Sequence, residues 1–173
     1  MLTLQELRSV ADRFGVDDQQ VRRDHLISLL LAVLSSEFAD QVLFFGGTAL
    51  SRTHLPVGRL SEDLDLIAVT DRRTVASGLD ERLPRSVQRD YGTLVWSPAL
   101  SDVQERHPAA LSTFDGLTVR IQLLTRVGYP PWPTERRAIA AIHRCCPGGA
   151  FGADQGGLFG MEDGGVVRQG RTP

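Results

Sequence analysis

The sequence predicts an α/β fold, a small mixed sheet flanked by helices. Three observations carry this. Short apolar runs of strand length, at 42–45 and 64–69, alternate with stretches of helical spacing at 2–14, 17–38 and 71–91. The pair Asp115-Gly116 lies between two β-prone runs, 110–114 and 117–125, and is the strongest short hairpin signal in the chain. With 173 residues and 42% hydrophobic content, the chain can bury a core of one domain.

The elements follow in order. Leu4, Leu7, Val10, Ala11 and Phe14 share a helical face that Gly15 ends. Asp17 caps a longer helix reaching about Phe38, built on Val21, Leu26, Leu29, Leu30, Val33 and Leu34. Arg22, Arg23 and Asp24 are read onto its early exposed side, with Asp24 and His25 as secondary candidates for lining a site. A strand over 42–45 breaks at Gly46-Gly47, and 48–55 reads as a helix ended by Pro56. A loop through Gly58 leads to the strand 64–69. Thr70 or Asp71 then caps a helix that stops near Leu83 and resumes after Pro84 as far as Tyr91. Its arginines 72, 73, 82, 85 and 89 read as a solvated face, although such a stripe would also suit RNA phosphates. A strand at 93–96, a helical turn at 101–107, the hairpin, a rigid extended loop at 129–133 and a helix at 134–144 complete the reading. Residues 1–146 form one domain. The glycine-rich tail, 147–173, is expected to be poorly ordered.

Composition narrows the classes. A net charge of -2 gives no global nucleic-acid signal. All 19 basic residues are arginine and asparagine is absent, so any cationic contact to phosphate must come from arginine or backbone. The two cysteines, Cys145 and Cys146, are adjacent and form no disulfide framework, which suits a reducing cytoplasm. No signal peptide is evident. The longest apolar run, 26–34, is interrupted by Ser28 and is too short to span a bilayer.

The chemistry concentrates between residues 44 and 67. Side chains at i and i+2 of a strand share a face, so Asp63 and Asp65 project together from the start of the second strand. Paired carboxylates suit magnesium, which takes one or two carboxylates plus substrate phosphates. Glu62 faces the other way. The diglycine turn supplies the complementary half. Glycine admits close backbone approach, and the N–H groups of Gly47 and Thr48 open a helix, where anions bind. Thr48 adds a hydroxyl donor. A triphosphate on the turn beside a metal on the aspartates is an arrangement for phosphoryl or nucleotidyl transfer. Each half alone is commonplace: a glycine turn, and a solvated strand end.

The run FFGGTALSRTHLPVGRLSEDLDLIAV closely resembles the nucleotidyltransferases of the AbiEii/AbiGii toxin family, which includes MenT-like toxins. The family pattern of a diglycine with Thr-Ala-Leu, then Arg-x-Ser-x-Asp-x-Asp, falls on Gly46, Gly47, Thr48, Ala49, Leu50, Arg59, Ser61, Asp63 and Asp65. RRDHLISLLLAVL and YPPWPTE also resemble family segments, so the likeness covers about 16–140. It implies a polymerase-β-like nucleotidyltransferase fold and Mg2+-dependent transfer of a nucleotide from an NTP to the 3′ end of tRNA. That transfer would block translation until a cognate antitoxin neutralises the toxin. It implies Asp63 and Asp65 as metal ligands, with Gly46, Gly47 and Thr48 on the nucleotide. Arg59 and Arg120 are secondary nucleotide contacts. Ser61 joins the catalytic set, as a residue whose phosphorylation would place a dianion against the aspartates; its other reading is a turn or cap. Where related enzymes carry a third acid, Gln122 stands here. The tail lacks the family's C-terminal lysine and Arg-Asp-x-x-Asp-like motif, and reads as truncated or divergent.

Two alternatives remain open at this point. One is transfer to a protein or small molecule. The other is a catalytically impaired remnant that binds nucleotide or antitoxin.

Overall fold

The computed structural model describes residues 2–55, 59–126, 134–139 and, as backbone, 158–162. The elements are α1 (Leu4–Phe14), α2 (Asp18–Glu37), β1 (Val42–Phe45), α3 (Gly46–Thr53), β2 (Asp63–Ala68), α4 (Arg72–Tyr91), β3 (Leu94–Trp96), β4 (Ala109–Thr113), β5 (Thr118–Thr125), β6 (Thr134–Ala138) and β7 (Leu158–Glu162). The mixed sheet flanked by helices is as expected. Its body runs β3-β4-β5-β2-β1, and β7 and β6 extend it beyond β1. β2 lies antiparallel to β1 and parallel to β5.

The helices begin where local chemistry says they should. Thr3 and Glu6 form a reciprocal capping box on α1, and the Asp17 carboxylate accepts from Gln20 N at 2.7 Å to start α2. Gly15 ends α1 in the left-handed conformation (φ 63).

Strand alternation sorts the sheet into two faces. Leu64, Leu66 and Ala68 of β2, Val119, Ile121 and Leu123 of β5, and Val42 and Phe44 of β1 are buried in one core cluster. Leu26, Ile27, Leu30 and Leu34 of α2, and Val75, Leu79, Leu83 and Val87 of α4, complete that cluster. Asp63 and Asp65 alternate with the buried leucines and so occupy the other face.

Four expectations are corrected. α3 starts at Gly46 itself, so the diglycine is its first turn. α4 runs unbroken through Pro84. Proline cannot donate to the carbonyl four residues back, and that carbonyl, Asp80 O, accepts instead from Trp96 Nε1 at 3.0 Å. The stretch 101–107 forms turns without a helix. Residues 134–138, read as the start of a helix, are strand β6. Here pairing with β7, from Thr134 opposite Glu162 to Ala138 opposite Leu158, overrides a local preference that the sequence states only weakly. Residues 140–144 and the loop 129–133 lie outside the described residues. So does the tail 147–173, apart from β7. Among the described residues, no helix is long and apolar enough to cross a membrane.

Candidate active site

β1 delivers the turn directly onto the carboxylates. Phe45 is the register partner of Asp65. Gly46 follows with φ +80, and a Cβ there would sit 2.3 Å from Asp65 Oδ2. Both the dihedral angle and the contact require glycine. A Cβ at Gly47 would instead meet the Arg59 guanidinium at 2.8 Å, the far end of an exposed side chain that can move. Phe45, at the N-cap of α3, makes no side-chain cap, so the first N–H groups of this helix lack the usual side-chain acceptor. Arg59 lies beside that turn. Its nearest acid, Glu62, is 3.9 Å away, and both side chains are exposed.

Thr48 is fully buried, and its hydroxyl donates to Asp63 Oδ1 at 3.2 Å. It therefore orients a carboxylate, whereas the sequence suggested a phosphate contact for the hydroxyl. Asp63 and Asp65 are both half-buried. Burial, and then the neighbouring Asp63 charge, push the Asp65 carboxyl above the ordinary carboxylate range. The native chain thus binds this proton more tightly than the unfolded chain does. Stability falls as pH rises from the unfolded pKa through the folded one, and the cost persists above it. Asp65→Asn is therefore expected to raise the Tm of the metal-free protein at pH 7, with the gain vanishing in acid. An unchanged or lower Tm by calorimetry would contradict the crowding of these two charges.

Beneath the pair lies a buried polar frame. Arg52 of α3 is 1% exposed and Asp24 of α2 is 0% exposed. Arg52 Nη2 donates to Asp24 Oδ1 at 2.8 Å and to Ser28 Oγ at 3.0 Å, and its Nε donates to Ser61 Oγ at 3.0 Å. Asp24 Oδ1 also accepts from Ser61 N at 2.6 Å, and Gln20 Nε2 donates to Ser61 O at 3.1 Å. The frame ties α2 and α3 to the segment two residues ahead of Asp63, and so sets where β2 starts. Asp24 is thus at the centre of the structure, not on the exposed side of α2. Ser61 is 1% exposed and its hydroxyl points into the frame. A phosphoryl donor reaches it only if the frame opens, so its position is that of a support. His25 is buried as well, and its Nδ1 lies 2.7 Å from the Tyr91 hydroxyl.

On the other side of β2, the register partners of Asp63 and Asp65 are Arg120 and Gln122. Gln122 Nε2 donates to Glu105 O at 2.9 Å, so this side chain holds a loop. Among the described residues, no group of three or more His, Cys, Asp or Glu gathers into a metal cluster.

Sequence reasoning did not find Arg52. A signal existed: three residues after buried Ala49, it shares that face of α3, and a cation on an inward stripe requires a buried partner.

A family model described as nucleotidyl transferase AbiEii toxin, type IV toxin–antitoxin system, matches residues 28–146. The chain belongs to this family. The AbiEii match contains the glycine turn, the frame apart from Gln20 and Asp24, and both aspartates. Among solved structures, the chain is similar to MenT4, nucleotidyltransferase toxin Rv2826c from Mycobacterium tuberculosis H37Rv, with a TM-score of 0.54 and 21% identity. That alignment covers 94% of this chain and 54% of MenT4, so the AbiEii chain described here spans about half of that toxin's length. At this identity the likeness shows the fold. A weaker likeness, TM-score 0.32 and 16% identity, is to terminal uridylyl transferase 4 from Trypanosoma brucei with bound CTP, covering 72% of this chain and 37% of that one. A search of curated proteins gave no match.

Proposed function

We propose that this chain transfers a nucleotide from an NTP to the 3′ end of tRNA, so blocking translation, and that a cognate antitoxin restrains it. One observation carries the reading: an uncapped helix start, made of glycine, lies against a pair of crowded carboxylates. The carboxylates are an oxygen-only donor pair whose mutual repulsion a cation would relieve, and so they fit Mg2+. Asp63 and Asp65 would hold it. When bound, the cation would neutralise charge on the phosphates of the nucleotide.

The chain's own residues do the positioning. The N–H groups of Gly46, Gly47 and Thr48 face the triphosphate, and the helix start adds its partial positive charge. Thr48 Oγ1 holds Asp63 in one orientation. Arg59 reaches the phosphates from the exposed side. The Asp24–Arg52–Ser61 frame keeps α3 and β2 in register, so that the turn and the aspartates meet at a fixed distance. Family membership supports NTP as donor and an antitoxin as partner; the tRNA acceptor rests on likeness to MenT-like toxins. A cytoplasmic place of action follows from these substrates.

The test is incubation of the protein with Mg2+, each α-labelled NTP in turn, and total tRNA. Label is expected on RNA with one or more NTPs, and EDTA is expected to abolish it. Label on protein in place of RNA would reassign the acceptor. No label from folded protein with any NTP would leave a nucleotide- or antitoxin-binding module and sink the transferase reading.

A further inference from the structure

A cleft of about 310 Å³ opens beside Asp63, lined by Arg23, Glu62, Asp63, Thr118 and Arg120. It lies on the β5 side of β2, whereas the glycine turn lies on the β1 side. Arg23 of α2 is pinned there: its Nε donates to Thr118 O at 3.0 Å and its Nη1 to Gln20 Oε1 at 2.6 Å. Arg120 is the register partner of Asp63, and it makes no side-chain hydrogen bond or ion pair among the described residues. Three of the five α4 arginines are differently placed, while Arg73 and Arg89 stand exposed on that helix away from the cleft lining. Arg72 is taken up by the carbonyls of Leu123 and Val103, Arg82 by Glu37 and Arg85 by Glu81. Were Asp63 to share the cation of the proposed function, the cleft would present two guanidiniums against Glu62 alone.

We propose that this cleft is the acceptor subsite, in which Arg23 and Arg120 grip a backbone phosphate of a single-stranded RNA 3′ end. The proposal rests on the transferase reading for the direction of the strand. Attacking and leaving oxygens lie roughly in line across the transferred phosphorus. A triphosphate held on the β1 side sends its pyrophosphate that way, so the acceptor enters from the β5 side. There the 3′ hydroxyl oxygen bonds to the α-phosphorus, the bond to the bridging oxygen breaks, and pyrophosphate leaves with the electron pair. The hydroxyl proton passes to solvent. Guanidinium forks match a phosphodiester and read no base, so the grip would be indifferent to sequence.

The test measures two affinities separately in Mg2+, by fluorescence anisotropy: a labelled single-stranded RNA oligonucleotide and a labelled NTP. Arg120→Glu is the main variant, because Arg120 makes no side-chain hydrogen bond or ion pair among the described residues; Arg23→Gln accompanies it. Arg120→Glu is expected to weaken RNA binding by about tenfold or more, as one charge-assisted contact is worth. It should also reduce the slope of log affinity against log salt by about 0.7. NTP affinity should stay within about twofold. Loss of NTP affinity with RNA binding intact would assign the arginines to the triphosphate and overturn the proposal. Unchanged values for both ligands, or no RNA binding by the wild type, would also overturn it. If the wild type binds RNA through Arg120 but no NTP, the transferase reading fails and the RNA cleft stands.

Discussion

Arg52→Ala is expected to lower the unfolding free energy by about 3–5 kcal/mol, the cost of leaving a buried charge without its partner. Arg52 and Asp24 are 1% and 0% exposed, and one guanidinium serves Asp24, Ser28 and Ser61 together. Its removal leaves the buried Asp24 carboxylate without the guanidinium that neutralises it, although Ser61 N still donates to it. For a chain of this size, each kcal/mol corresponds to about 2–4 °C of Tm. The double variant Arg52→Met/Asp24→Leu removes both charges and should recover much of the loss, because apolar replacement of a buried pair is often neutral or better. Chemical denaturation of the three proteins decides the matter. A loss below about 1 kcal/mol in Arg52→Ala would mean that the frame contributes little beyond packing.

Asp63→Ala is expected to reduce nucleotide transfer by about 10³-fold or more, equivalent to the several kcal/mol a metal ligand supplies to the transition state. Stability should move the other way. Removing one of two crowded carboxylates lets the Asp65 pKa relax downward, and among the described residues the side-chain bond lost is the 3.2 Å one from Thr48. The combination of lost activity and retained or raised Tm separates a site residue from a structural one. Transfer that persists in Asp63→Ala would remove the aspartate pair from the mechanism.

Much of the architecture was legible because local and tertiary preferences agree. Asp17 and Gly15 mark helix ends by their own hydrogen bonds or dihedral angles, and Asp115-Gly116 marks the β4–β5 hairpin. The turn and the Asp-x-Asp pair were legible as well, because glycine and period-2 spacing act over a few residues. The frame was not. Arg52 meets Asp24 across 28 residues, and nothing in either neighbourhood names the other. β6 escaped for the same reason, since its strand state depends on β7. Arg23 was read as solvated because Thr118, which anchors it, is 95 residues away.

The choice of arginine in the frame has a consequence for acid tolerance. A guanidinium does not give up its proton in a protein, whereas a lysine in that place could discharge on burial. The cation that positions α3 is therefore constant across the whole working range. The group whose charge is displaced toward neutrality, Asp65, stands instead at the glycine turn, against Gly46. The cation that holds α3 against α2 is thus never the group that a change of pH switches.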